Sequence, residues 1–192
     1  MFRNIAQILL LTALTSGSAL AAEIRVQIPP ESVDIAFELK ATMHTVHGTA
    51  TLERAEFVID TATGSVSGEA VASAASADTG NKKRDKKMHT KVLLSDSHPK
   101  IVFRAHRYEG EIDAAGSSEI TLVGVMELLG VEHPLTVPVA VSMAEGTARA
   151  SFTVPYVEWG LEDPSTFVLR VGKEVPITVT GRIAVASDAD PS

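Results

Sequence analysis

The 192-residue chain contains no cysteine, and this absence excludes disulfide bonds, thiol catalysis and iron–sulfur clusters. Aromatic residues make up only 5% of the chain, with a single tryptophan. The sequence also lacks a glycine-rich phosphate loop and a G-x-S-x-G nucleophile motif, which are signatures of nucleotide-binding proteins and serine hydrolases. A fold without cross-links depends on burial of its aliphatic side chains.

The first residues have the layout of a secretory signal peptide. A single arginine provides the positive n-region, residues 5–14 form a mainly apolar stretch, and residues 19–21 (Ala-Leu-Ala) fit the small-x-small cleavage pattern. The apolar stretch is shorter than the roughly 20 residues needed to cross a bilayer. The sequence therefore predicts a signal peptide over residues 1–21, one domain over residues 22–187 and a frayed tail over residues 188–192. We expect a soluble mature protein in the periplasm or secreted from the cell.

Acidic residues outnumber basic residues, with 24 Asp and Glu against 17 Lys and Arg, and the net charge is −7. Affinity for nucleic acids comes mainly from neutralisation of phosphates by basic side chains. An acidic chain is therefore a poor general nucleic-acid binder, and we predict no nucleic-acid partner.

One short segment departs from this charge balance. Residues 82–91 hold six basic residues against Asp85 alone, a net charge of +5. Strand alternation is absent here and Asn81 is a suitable N-cap, so we predict a short helical segment near residues 81–94. The basic segment is either a solvated helical face or a surface that makes transient contact with anionic membranes. The candidate head-group ligands are Arg84, Lys87 and His89.

Alternation of apolar and polar residues with a period of two dominates the rest of the chain, which is typical of strands with one buried face. The clearest alternating segments are residues 33–40, 135–143, 148–156 and 175–183, and shorter ones are residues 24–28, 54–60, 65–71, 101–108, 118–128 and 167–171. Many short strands without intervening helices indicate an all-β antiparallel sandwich or barrel.

The apolar faces of these strands predict which side chains point inward. The interior of an eight-stranded barrel is either filled by side chains or holds one small ligand. Alternation does not separate a cavity wall from a sealed core, so both alternatives stay open. We expect the core or cavity to be lined by Val33, Ile35, Phe37, Phe57, Ile59, Phe103, Leu122, Met126, Trp159 and Phe167.

Two other readings of the residues compete with a ligand-filled barrel. His44 and His47 form an H-x-x-H pattern in a predicted loop that ends at Gly48, and with His89 they are candidates for a metal- or haem-related site. The simpler interpretation is that they are ordinary polar loop histidines. The second reading is an interaction module with a filled barrel. No pair of carboxylates or other constellation points to catalysis, so we predict no enzyme activity and no cofactor.

Several motifs occur in the order found in the YceI-like family, and the chain resembles that family over residues 24–185. The motifs are residues 32–37 (SVDIAF) with His47-Gly48, Arg84-Asp85 with residues 99–103 (PKIVF), residues 123–131 (VGVMELLGV), and Trp159-Gly160 with residues 171–177. Residues 92–97 (VLLSDS) depart from the family, because many members carry aromatic residues there. This departure implies a different shape at the near end of the cavity.

The resemblance implies an extended, lipocalin-like antiparallel β-barrel of about eight strands with a long apolar cavity. It implies non-covalent binding of a long-chain lipid, such as a polyisoprenoid, an isoprenoid quinone or a fatty-acyl compound. The implied role is that of an exported carrier or a stress-related lipid-binding protein without catalytic residues. Monomer and homodimer both stay open.

Overall fold

The computed structural model describes residues 23–187. The predicted signal peptide and the predicted frayed tail lie outside the described residues, and both stay predictions. Within residues 23–187, no helix combines the length and the apolar character that crossing a membrane requires.

Ten strands and one short α-helix make up the described part of the chain. The strands are β1 (Glu23–Gln27), β2 (Val33–Lys40), β3 (Thr45–Asp60), β4 (Val66–Asp78), β5 (Lys100–Gly110), β6 (Ser117–Leu128), β7 (Val131–Ser142), β8 (Thr147–Val154), β9 (Val175–Arg182) and β10 (Ala184–Ser187). The helix α1 (Lys82–Lys87) continues into a π-helical turn (Met88–Val92), and a 3₁₀ turn (Pro30–Ser32) separates β1 from β2.

The sheet closes on itself as an eight-stranded barrel. Its strands follow the order β3-β2-β9-β8-β7-β6-β5-β4, and β4 pairs again with β3. All these pairings are antiparallel. The long strand β3 pairs with two strands on the same side: β2 along residues 45–50 and β1 along residues 56–60. The last strand, β10, pairs with β1. The predicted lipocalin-like barrel of about eight strands is therefore confirmed.

Register shifts change which residues face inward. The register of β3 against β4 shifts between Thr49 and Thr51 and again between Leu52 and Arg54, and the register of β5 against β6 shifts between Ala105 and Arg107. A bulge adds one residue to one strand and moves the following side chains to the other face. In a regular strand Leu52 and Ala55 would point to opposite faces, because they are three positions apart. The bulge between them lets both side chains be buried.

The helical segment begins as predicted at Asn81. Its side-chain oxygen accepts hydrogen bonds from the backbone N–H groups of Lys83 (3.1 Å) and Arg84 (3.2 Å), which otherwise lack helical partners. The π-helical turn ends the segment, and Leu94 follows it with a φ of 45°. The predicted short helical segment is confirmed.

Two local predictions are wrong. Residues 167–171 form no strand, because residues 155–174 are an irregular connection between β8 and β9. Residues 45–48 are not a loop but the start of β3, where Val46 and Gly48 are buried. The short alternation of small residues around His47 hid this strand from sequence reasoning.

The interior of the barrel packs as two clusters. One cluster contains Phe57 and Ile59 near the β1 end, and the other contains Met126 and Leu128 near the α1 end. The half-buried side chains that pack against both clusters are Phe103, Leu122 and Ile177. Because these three are only half-buried inside a closed barrel, the space between the clusters is not filled by side chains.

Candidate functional site

A cavity of about 700 Å³ occupies this space between the two clusters. All eight barrel strands contribute lining residues, and most of these residues are aliphatic or aromatic. Among residues 23–187, no aspartate or glutamate lines the cavity, although the chain as a whole is acidic. The volume falls within the roughly 300–1,000 Å³ that is typical of ligand pockets.

Small inward-facing residues create this cavity. Six alanines on the inner face of the barrel leave space where larger side chains would meet: Ala50, Ala70, Ala72, Ala77, Ala148 and Ala150. Between them, Phe37, Phe103 and Phe152 form aromatic parts of the wall. An eight-stranded barrel lined in this way holds a ligand instead of a sealed core.

Seven of the ten residues expected inside the barrel line the cavity in the structure. They are Val33, Ile35, Phe37, Phe57, Phe103, Leu122 and Met126. Ile59 is buried in the cluster near β1 and does not line the cavity. Trp159 packs against the other cluster, and its ring stacks on His133 with ring centres 4.4 Å apart.

Phe167 is a correction, because the prediction placed it in the core or cavity. Its side chain is 96% exposed at the tip of a loop. The alternation rule assumes a strand, and residues 155–174 form an irregular connection instead, so the position of Phe167 in the sequence says nothing about its direction.

Sequence reasoning also left out part of the wall. Residues on the same alternating faces complete it, including Leu39, Val137, Val139, Phe152, Ile177 and Val179. Their alternation was visible in the sequence and could have identified them. Tyr156 and Leu161 belong to the irregular connection, and no periodic signal marks them.

The contact between Gly48 and Phe37 shapes the wall near the start of β3. These residues are direct neighbours across the β2–β3 pair, and the Phe37 ring lies over the Gly48 backbone. A Cβ atom at residue 48 would overlap the ring. A glycine at this position therefore lets an aromatic ring lie flat against the barrel wall.

One end of the cavity is basic. Lys83, Arg84 and Lys87 of α1 line it, together with the polar side chains of Thr79 and Asn81. The Lys87 ammonium donates a 2.8 Å hydrogen bond to the carbonyl of Pro164, which joins α1 to the irregular connection. Arg84 and Lys87 thus lie where the sequence placed the head-group candidates, and Lys83 joins them.

Two hydrogen bonds fix the Arg84 guanidinium at this end. Its Nε donates to Thr79 Oγ1 (2.7 Å) and its Nη2 donates to the Thr79 carbonyl (2.9 Å). Burial by itself would raise the pKa of Asp85, but its hydrogen bonds from the Thr79 hydroxyl and backbone N–H (3.0 Å), together with the charge of Arg84, lower it. Among residues 23–187, no carboxylate lies within 4 Å of the Arg84 guanidinium as an ion-pair partner. Its charge is thus oriented by neutral partners.

His89 does not line the cavity. Its Nδ1 lies 3.1 Å from the hydroxyl of the buried Ser95, a contact that closes the end of the helical segment. Residues on a short helical segment point in different directions, so Arg84 and Lys87 face the cavity whereas His89 does not.

His44 and His47 lie on opposite sides of the barrel wall. His44 lines the basic end of the cavity, whereas His47 faces outward and lies 3.4 Å from Glu38. In the part of the chain that the structure describes, no three His, Cys, Asp or Glu side chains are grouped to hold a metal ion. The geometry therefore gives no support to a metal site built on this H-x-x-H pattern.

Tyr156 anchors the irregular connection at the wall of the cavity. Its buried hydroxyl donates a 2.7 Å hydrogen bond to the carbonyl of Gly172. Burial raises the pKa of Tyr156 to about 12, and the negative charge of Asp163 adds to the shift. The phenol consequently stays neutral and keeps donating this bond over the physiological pH range.

The exposed lining residues mark the mouth of the cavity. Within the described chain, all of them lie at the basic end: His44, Asn81, Lys83, Lys87 and Leu169. At the opposite end, Ile28, Val33 and Ile183 are half-buried. A ligand whose tail fills the apolar interior would therefore present its head to basic side chains and water.

The sequence model of the YceI-like domain matches residues 26–183, which is most of the chain. The chain belongs to the YceI-like family. No curated protein matches the sequence significantly.

Two solved structures share the architecture of this chain. The chain is similar to a polyisoprenoid binding domain from Saccharophagus degradans implicated in plant cell wall breakdown, with a TM-score of 0.61 and 14% identity over 84% of this chain and 98% of that domain. It is also similar to BcnA from Burkholderia cenocepacia, with a TM-score of 0.62 and 16% identity over 82% of this chain and 99% of that protein. At such low identity these likenesses establish the shared fold.

Proposed function

We propose that this YceI-like protein binds one long-chain apolar lipid in its barrel cavity without catalysing a reaction. The lipid class is a polyisoprenoid, an isoprenoid quinone or a fatty-acyl compound, and the role is that of an exported carrier or a stress-related lipid-binding protein. The observation that carries the proposal is the apolar cavity of about 700 Å³ with a basic mouth. The polyisoprenoid binding described for the Saccharophagus degradans domain supports the same ligand class.

The energetics suit a carrier of a poorly soluble chain. Burial of each CH₂ group contributes roughly 0.8 kcal/mol. A large ligand gains about 0.3 kcal/mol per heavy atom in practice, so roughly 40 atoms give about 12 kcal/mol, which corresponds to nanomolar affinity. Burial of the apolar chain provides this affinity, so lipid binding requires no cofactor.

The basic mouth is the proposed place for the lipid head. Arg84 is oriented by neutral partners and Lys87 lies beside it at the cavity end, so both are positioned to contact an anionic or strongly polar head group. His89 is left out of this set because it faces Ser95. We also propose that the basic segment, residues 82–91, makes transient contact with a membrane surface.

The proposed location is the periplasm or the cell exterior. The signal-peptide pattern of residues 1–21 supports it, and a long lipid there has to cross water between membranes. Export is tested by determining the N-terminus of protein recovered from the periplasmic fraction, where a start at residue 22 is expected.

The lipid proposal is tested by native mass spectrometry of protein purified from its own host, followed by organic extraction of the bound material. We expect a discrete adduct of one lipid per chain, or stoichiometric uptake of added solanesol, a long-chain polyprenol. Repeated absence of an adduct together with no uptake of solanesol would overturn the proposal.

A pair of matched variants separates cavity binding from adsorption to the outside. Ala150 lines the cavity, whereas Ala36 is exposed on the outer face of β2. We expect Ala150→Phe to weaken solanesol binding at least tenfold, because the new ring occupies ligand space, and Ala36→Phe to leave binding unchanged. Equal binding by both variants would place the lipid outside the barrel.

The alternatives from the sequence have less support. A filled barrel does not agree with a cavity of this volume. A metal site on His44 and His47 does not agree with side chains on opposite faces of the wall.

A further inference from the structure

Three large apolar side chains protrude into water beside the mouth of the cavity. Met43 is 90% exposed, Phe167 is 96% exposed and Val168 is 84% exposed. We call these three residues the apolar tip. A single exposed apolar residue needs no explanation, but several exposed together mark an interaction site.

Each part of the apolar tip sits on a turn held by hydrogen bonds. The Ala41 N–H donates to the His44 carbonyl (2.9 Å), which closes the turn that carries Met43. The Thr166 N–H donates to the Leu169 carbonyl (2.7 Å), and the Leu169 N–H donates to the Thr166 hydroxyl (3.0 Å). This second pair closes the turn that carries Phe167 and Val168, so their exposure is built into the fold.

Backbone contacts join the two turns to each other. The Thr42 N–H donates to the Arg170 carbonyl (3.0 Å), and the Arg170 N–H donates to the Thr42 hydroxyl (2.8 Å). Ala41 and Val171 also form an isolated antiparallel bridge. The three residues of the apolar tip therefore project from one paired unit.

The same unit forms part of the cavity mouth. Its residues Ala41, His44 and Leu169 line the cavity, and the bond from Lys87 to Pro164 ties the unit to α1. Whatever covers the apolar tip therefore also lies over the entrance through which a ligand passes.

The charge around the mouth is opposite to that of the rest of the molecule. The three segments that form the mouth, residues 40–45, 79–93 and 161–174, carry nine basic and four acidic residues. The remainder of residues 23–187 carries seven basic and 18 acidic residues. Of the four acids at the mouth, Asp85 and Asp163 accept hydrogen bonds from Thr79 and Ser165. The covering partner is therefore negatively charged around an apolar contact.

We propose that the mouth docks onto the surface of an anionic lipid bilayer. The apolar tip inserts at the boundary between head groups and acyl chains, and the lysines of α1 contact the head groups. Amphipathic surfaces bind membranes by this combination of buried apolar area and attraction to anionic lipids. The inference rests on the proposed function, because docking then lets a lipid enter the cavity directly from the bilayer.

The test is co-sedimentation of the full-length mature chain with vesicles of phosphatidylcholine, alone and mixed with phosphatidylglycerol. We expect binding to the mixed vesicles and about tenfold weaker binding to phosphatidylcholine alone. The double variant Phe167→Ser, Val168→Ser should lose about tenfold in binding to the mixed vesicles. The control Val185→Ser, on β10 at the far end of the barrel, should bind like the unchanged chain.

A charge-matched pair tests the electrostatic half of the proposal. Lys82→Glu, Lys86→Glu alters α1 without touching the cavity wall, and Arg149→Glu, Arg182→Glu makes the same change in net charge elsewhere. We expect the first pair to abolish binding to the mixed vesicles and the second pair to have a much smaller effect. Equal losses from both pairs would mean that net charge, and not the mouth, governs binding.

Fluorescence reports insertion directly. In a Trp159→Phe background, Phe167→Trp should shift its emission to the blue on addition of mixed vesicles, whereas Val185→Trp should not. A Phe167→Trp emission that is unchanged, or vesicle binding that survives Phe167→Ser, Val168→Ser, would overturn docking. Self-association that those serines abolish, without vesicle binding, would instead assign the apolar tip to a second copy of this chain.

Solanesol binding without vesicles separates this inference from the proposed function. Normal uptake by Phe167→Ser, Val168→Ser, together with lost vesicle binding, supports docking and leaves the cavity function intact. Vesicle binding through the apolar tip by a protein that takes up no solanesol would support docking and overturn the lipid cavity.

Discussion

Tyr156 lines the cavity, and the burial of its side chain affects both the stability of the fold and the pKa of its hydroxyl. Its hydroxyl is buried and donates to the Gly172 carbonyl, so the residue holds one end of the irregular connection against β8. The same burial raises the pKa of Tyr156 to about 12. In the unfolded chain a tyrosine titrates near 10.

The direction of the pH effect follows from these two values. A folded-state pKa above the unfolded value means that the fold favours the neutral phenol. The stability contributed by Tyr156 is therefore complete below about pH 10 and is lost as the pH rises through about 12.

We predict that Tyr156→Phe lowers the free energy of unfolding by about 1 kcal/mol, because one hydrogen bond is lost and the Gly172 carbonyl is left without this donor. The variant should also show a weaker decline of stability between pH 10 and 12. Denaturant unfolding across this range measures both effects. The control Tyr108→Phe removes a hydroxyl that makes no hydrogen bond within the described residues, and a comparable loss in that control would contradict the assignment.

The helix α1 is stabilised mainly by hydrogen bonds at its N-terminal end. It has only six residues and none is buried, so packing contributes little to its stability. The Asn81 cap supplies acceptors for two backbone N–H groups, and Asp85 binds back to Thr79 ahead of the helix. These local bonds hold Lys83, Arg84 and Lys87 at the mouth.

We predict that Asn81→Ala destabilises α1 locally by about 1 kcal/mol while the barrel unfolds almost as before. Amide hydrogen exchange should become several-fold faster in residues 83–88, and the strands should keep their protection. Asn81→Ser provides the control because serine is also a good N-cap. Fast exchange in both variants would show that the amide side chain acts through something other than capping.

Among the strands, the sequence predicted those with regular alternation well. The limits of β2, β6 and β9 lie within one residue of those expected, and those of β7 within four, because each strand exposes one face to solvent along its length. The second half of β4 was missed because its alanines and serines alternate weakly in hydropathy. Pairing with β3 and β5, which are distant in sequence, makes this stretch a strand.

At the scale of the whole described chain, residues 23–187 form a closed barrel that encloses an apolar cavity with a basic mouth at one end. The apolar side chains that line the cavity have no packing contacts on their inner side until a ligand occupies the space. A ligand that binds only the folded state stabilises it by about 2.7 kcal/mol when its free concentration is 100 times Kd.

We predict that protein stripped of lipid by organic extraction and refolded melts lower than the same protein reloaded with solanesol, by about 5–10 °C. Differential scanning calorimetry measures the shift. The short isoprenoid farnesol should shift the melting temperature less, because it buries fewer CH₂ groups. An equal shift with both compounds would contradict a cavity suited to long chains.

The sequence by itself determined the class of the fold, the inward faces of the regular strands, the Asn81 cap and the basic charge of residues 82–91. These features depend on neighbours along the chain, so alternation and local hydrogen bonding are enough to predict them. The family resemblance added the lipocalin-like barrel, which the closed sheet confirms.

Only the tertiary structure decided whether the barrel interior is filled, because a void depends on distances across the barrel between residues far apart in sequence. The same holds for the separation of His44 from His47, the turning away of His89 and the placing of Phe167 outside the mouth. Phe167 was expected inside because it is apolar. Its loop is instead paired with the turn at residues 41–44, and this long-range contact directs the ring into solvent.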